Sequence, residues 1–85
     1  MMFRYKLVFA NKDYKCIDCG CAIPKRSLYV DAVEGGFRVS YCLRCAKPIT
    51  AVMLKEDSRE LIGVGLYPNG KPLTPYMKML ITSSQ

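Results

Sequence analysis

Two Cys-x-x-Cys pairs, Cys16-Ile17-Asp18-Cys19 and Cys42-Leu43-Arg44-Cys45, stand 22 residues apart in a chain without histidine. One such pair brings two sulfurs to an ion from a single tight bend, and a second pair from a distant segment closes a tetrahedron. Gly20 follows the first pair, where a knuckle turns back through positive φ. The spacing therefore points to a four-thiolate zinc site with Cys16, Cys19, Cys42 and Cys45 as ligands. Iron can also sit on four thiolates, and spacing does not separate the two. The fifth thiol, Cys21, lies two residues past Cys19. On an extended segment it points away from the site and fills space as a small hydrophobe; a set combining Cys19 with Cys21 is the competing arrangement.

Other uses of cysteine fit less well. Five is an odd count for a disulfide framework. The opening Met1-Met2-Phe3-Arg4-Tyr5-Lys6 runs straight into charge, unlike the apolar stretch of a secretory signal. A redox Cys-x-x-Cys opens a helix in a βαβ unit and occurs once, whereas here two pairs face each other. Reduced, metal-bound cysteines predict an intracellular protein, in cytoplasm or nucleoid or nucleus. Eighty-five residues predict one domain, 1–85, with a core small enough to need the metal as a staple. Apolar residues make up 51% of the chain, which favours a packed globule over disorder. No apolar run reaches membrane-spanning length, so no membrane partner is expected.

Along the chain, Phe3, Tyr5, Leu7 and Phe9 alternate with Arg4 and Lys6, the pattern of a half-buried strand. Leu28–Val33 and Phe37–Tyr41 flank Glu34-Gly35-Gly36 and read as a hairpin whose glycines supply the turn. Its second strand delivers Cys42 to the site. Helix-compatible apolar residues follow from Leu43 to Leu54, with Pro48 tolerated only in a first turn. This zinc-binding core, residues 15–54, is followed by an extension, 55–85. There Leu61–Tyr67 reads as a strand weakened by glycine, Pro68-Asn69-Gly70-Lys71 as a turn, and Thr74-Pro75 as the cap and start of a helix. Thr82–Gln85 reads as a fraying tail. The expected fold is a small α+β zinc-binding domain: knuckle, hairpin and helix, with an added N-terminal strand and a C-terminal strand and helix.

Knuckle, hairpin, then a second cysteine pair entering a helix resembles the treble-clef zinc fingers over Lys15 to Leu54. More narrowly, Cys16-x-x-Cys19-Gly20-x-x-Ile23-Pro24-Lys25-x-Ser27-x-Tyr29 with Tyr41-Cys42-x-x-Cys45 is similar to LIM-type and poly(ADP-ribose)-polymerase-type fingers. The resemblance implies the same four ligands and no catalytic residue. Three departures stand out. Arg26 replaces a frequent glycine, no histidine serves as third ligand, and only one ligand set exists where a LIM domain has two.

A closed four-cysteine shell leaves no open position for water, and the acidic residues form no pair, so no enzyme and no small-molecule substrate are expected. The net charge of +6 sits mostly in residues 1–47, which hold nine Lys/Arg against four Asp/Glu. That excess points to nucleic acid, duplex DNA before RNA, with Lys25, Arg26, Arg38, Arg44 and Lys47 as phosphate contacts. Tyr29, Phe37 and Tyr41 either pack beneath the metal or meet bases, and packing is the preferred reading. The alternative is a protein-interaction or assembly module, homodimeric or with another protein, using Leu61–Tyr67 as an open edge or Tyr76–Ile81 as a docking helix.

Overall fold

The structure, a computed structural model, describes residues 2–84. Strand β1 (Phe3–Phe9) buries Tyr5 and Leu7 and turns Arg4 and Lys6 to its other face, as the alternation requires. Two short strands, β2 (Tyr14–Lys15) and β3 (Ala22–Ile23), pair around the first cysteine cluster. Strands β4 (Leu28–Glu34) and β5 (Phe37–Tyr41) form the expected hairpin, with Gly35 at φ 59° and Gly36 at φ 90°. Helix α1 (Lys47–Glu56) follows, then β6 (Glu60–Ile62), β7 (Tyr67–Asn69) and helix α2 (Pro75–Ser83). Pro48 sits in the first turn of α1, where its missing N–H costs nothing. Thr74 caps α2, its hydroxyl accepting from the Met77 N–H at 3.1 Å.

The main sheet runs β5-β4-β1-β6-β7, antiparallel throughout, so the first strand of the chain lies at its centre. Both helices cover one face. Met53 of α1 and Met77 and Ile81 of α2 pack with Tyr5, Leu7, Val30, Ala32 and Leu61 in the principal core. A second, smaller core of Ala10, Cys16, Ile23 and Tyr29 lies under the cysteine cluster, with Tyr14, Cys42 and Cys45 packed against it. Tyr41 touches both cores. The chain is therefore a small α+β unit with two packing centres joined through β4 and β5.

Three local expectations change. Leu61–Tyr67 is two strands rather than one, because residues 63–66 turn, with the Leu66 N–H donating to the Gly63 carbonyl at 3.2 Å. Consequently β6 lies inside the sheet, and β7, which contains Pro68, forms the edge. The chain end is more ordered than its composition suggests, since Thr82 and Ser83 are helical and the Ser84 hydroxyl donates to the Leu80 carbonyl at 2.9 Å. Gln85, the last residue of the expected frayed tail, lies outside the described residues. Finally, Tyr76–Ile81 is no free docking helix: Met77 and Ile81 are core residues, leaving Tyr76 and Met79 exposed.

Candidate metal centre

The two cysteine pairs are shaped alike. In each, the carbonyl of the first cysteine accepts an N–H four residues on: Gly20 to Cys16 and Ala46 to Cys42, both at 2.9 Å. Such an i to i+4 turn folds both thiols of a pair toward one side. Gly20 takes φ 76° to make the first turn. The Cys16 N–H then donates to the Cys21 carbonyl, and the Ile17 N–H to the Ser40 carbonyl of β5, each at 2.9 Å. Those two bonds fix the knuckle against the sheet. Arg26 adopts φ 76°, a left-handed turn conformation that glycine takes more readily.

The sulfurs of Cys16, Cys19, Cys42 and Cys45 all lie within 4.8 Å of one another. Metal–sulfur bonds of about 2.3 Å give a tetrahedron with edges of about 3.8 Å, and the Cys19 and Cys42 sulfurs are 3.7 Å apart. The donor set fits a tetrahedral ion. Cys16 is buried, Cys42 and Cys45 are half-buried and Cys19 is exposed, so one corner of the site faces solvent. Cys21 is outside the cluster, but not for the expected reason: Gly20 turns the chain before it at φ 76°, so the segment is not extended. Cys21 is exposed rather than filling space, its sulfur accepting from Arg44 Nη2 at 3.3 Å.

Backbone donation from Cys21, with help from neighbouring thiols, holds the Cys19 thiol down to about 6. The hydrogen bond with Cys19, then burial, pushes the Cys45 thiol up. Without a metal, negative charge therefore favours Cys19 while Cys45 keeps its proton, and an ion displaces that proton. Four thiolates around a divalent ion carry a net charge of −2, which lowers the chain's formal +6 to +4. Arg44 lies where it offsets that charge; Cys21, Cys19 and Cys42 nearby all raise its pKa.

The basic residues singled out by sequence fall in different settings. Arg38 gives two hydrogen bonds to Asp31, Nε at 3.1 Å and Nη2 at 3.0 Å, and is thereby neutralised. Arg44 faces thiols. Lys25, Arg26 and Lys47 are exposed and have no carboxylate within 4.0 Å among the described residues. Lys12 and Lys15, which sequence reasoning passed over, share that property on the same metal-bearing segment, and Lys12 lies 5.4 Å from the Tyr14 ring centre. Of the aromatic candidates, Tyr29 is buried and stacks on Tyr14 at 5.0 Å, and the half-buried Tyr41 donates to Glu34 at 2.8 Å. Phe37 alone stands in solvent. No known protein family, curated protein or solved structure matches this chain.

Proposed function

We propose that the chain is a structural-zinc module of the treble-clef type that binds nucleic acid, duplex DNA foremost, through basic side chains held around the metal. Zinc is favoured over iron because a redox-inert ion suits a site whose role is to join segments, and tetrahedral sulfur coordination suits zinc well. The observation that carries the binding reading is where unneutralised charge lies. The four carboxylate ion pairs among the described residues involve Arg4, Lys6, Arg38 and Lys78, all outside the knuckle. Of the nine basic residues without a carboxylate partner among the described residues, Lys12, Lys15, Lys25, Arg26, Arg44 and Lys47 lie on the cysteine-bearing segments, and Lys55, Arg59 and Lys71 lie farther along the chain. Cations left free on a rigid scaffold are ready for phosphate, whereas paired ones must first give up a partner.

The reading is tested by titrating zinc-loaded protein with a fluorescent duplex at several salt concentrations. Substituting Lys25, Arg26 and Lys47 by glutamine should reduce the log–log salt slope by roughly three units, near one per phosphate contact. Zinc content stays at one per chain. Absence of duplex binding at low salt rejects nucleic acid as the partner and leaves protein assembly as the working function.

A further inference from the structure

The helices leave the second face of the main sheet uncovered except where the knuckle lies over Tyr29. Strand register sets one row of side chains directly across that face: Arg38, Val33, Arg4, Ile62 and Tyr67, each opposite the next. Three hollows of about 240, 270 and 500 Å³ run over it, joined at Arg4 and Lys6. Their walls carry five cations against two carboxylates.

Two side chains in this row are built as contacts. Arg4 gives only its Nε to Glu60, a bond that orients the guanidinium while both terminal nitrogens keep no protein partner among the described residues. This differs from Arg38, whose bidentate pair with Asp31 is complete. Tyr67 is 67% exposed, yet its ring lies close over the Gly65 backbone: a Cβ on Gly65 would come within 2.9 Å of ring atoms. The Cδ2–Cε2–Cζ side of the ring thus lies against the 63–65 turn, and the rest of the ring is open to solvent. Tyr67 stands two strands from Arg4, about 10 Å away.

We propose that this open sheet face binds single-stranded nucleic acid, with a base stacked on Tyr67 and the backbone running past Arg4 and Lys6. An exposed, backed ring needs a partner that offers a free π-face, which bases have in a single strand and lose inside a duplex. The cationic excess complements phosphate. A peptide strand is a poorer fit, because Pro68 deprives β7 of a central donor and Ile17 already occupies the Ser40 carbonyl on β5. This surface is separate from the one around the metal and does not depend on it.

The experiment is fluorescence anisotropy of a labelled 15-nucleotide oligothymidine with the full, zinc-loaded chain. Tyr67→Ala should weaken binding between about 5- and 150-fold, the range of one lost base stack, while Tyr67→Phe keeps it. Gly65→Ala should weaken it as well by displacing the ring, with folding unchanged because the exposed ring can move aside. Arg4→Gln should lower the salt slope by about 0.7. Wild-type affinity in Tyr67→Ala and Gly65→Ala, or no oligonucleotide binding at all, overturns the proposal. So does binding lost only on substituting Lys25, Arg26 and Lys47, an outcome that credits the metal-side surface instead. A Tyr67→Ala defect confined to self-association in sedimentation overturns it too and assigns the face to protein contact. Duplex binding that fails while oligothymidine binding holds rejects the metal-side reading alone.

Discussion

A chain stripped of its metal by a strong chelator should lose one packing centre and keep the other, because the two are held by different means. Ordering residues 11–27 costs about 1 kcal/mol each, roughly 17 kcal/mol. Seven backbone N–H bonds, from Ala10, Cys16, Ile17, Gly20, Lys25, Arg26 and Ser27, and about two more in the β2–β3 pair return about 1 kcal/mol each. Burial of Ile23, Tyr14 and Tyr29, with the smaller Cys16 and Ala10, adds about 8 kcal/mol. These gains reach about 17 kcal/mol, no more than level with the ordering cost. A structural zinc ion supplies on the order of 10 kcal/mol more and decides the balance. The principal core contains no ligand sulfur, and units of about 60 residues fold alone. Hydrogen exchange followed by mass spectrometry or NMR should therefore show Cys16, Ile17, Gly20 and Arg26 losing protection after chelation. Leu7, whose N–H donates to the Arg59 carbonyl at 2.8 Å, should retain it, as should Val30 and Ala32 in the β1–β4 ladder. Loss of protection throughout the chain would falsify the two-centre account, and so would none at all.

Two further expectations concern the sheet. Leu61 is fully buried between the helices and β1, so Leu61→Ala should cost 2 kcal/mol or more, a fall in Tm of about 8 °C or more by calorimetry; a smaller shift would contradict its place in the core. Burial acts to raise the Glu60 carboxyl, but hydrogen bonds from Arg4 and Asn69 and the nearby Lys6 charge outweigh it and hold the group below its usual range. Its folded pKa being depressed, the stability it contributes is present above about pH 4.3 and is lost as pH falls through the folded value. Urea midpoints measured from pH 6 to pH 2 should decline less steeply in Glu60→Gln than in the parent chain, and parallel curves would contradict this.

The cysteine spacing carried the metal site because a Cys-x-x-Cys turn is local: its own backbone brings both sulfurs round. The Gly35-Gly36 hairpin and the Thr74-Pro75 cap were legible for the same reason. Sequence alternation also separated Tyr5 and Leu7 from Arg4 and Lys6. It could not say which strands flank β1, since β4 and β6 come from far along the chain and every apolar strand offers the same period. For that reason the division of Leu61–Tyr67 into β6 and β7, and the open row through Arg4 and Tyr67, emerge only from register. Charge counting likewise found Arg38 without Asp31, seven residues earlier on the neighbouring strand. Counting treats every cation as free; pairing depends on which side chains the pleat sets opposite each other.

The central position of β1 bears on how the chain is made. Phe3–Phe9 leaves the ribosome before its β4 partners, Leu28 to Glu34, and longer still before its β6 partners, Glu60 to Ile62. Pairings so distant in sequence form slowly, and an apolar strand waiting for them is exposed to misassembly. Arg4 and Lys6 interrupt the first half of its hydrophobic run, and such charges disfavour pairing of the waiting strand with another copy of itself. The same two side chains that line the open face of the finished sheet thus guard the nascent chain before any sheet exists.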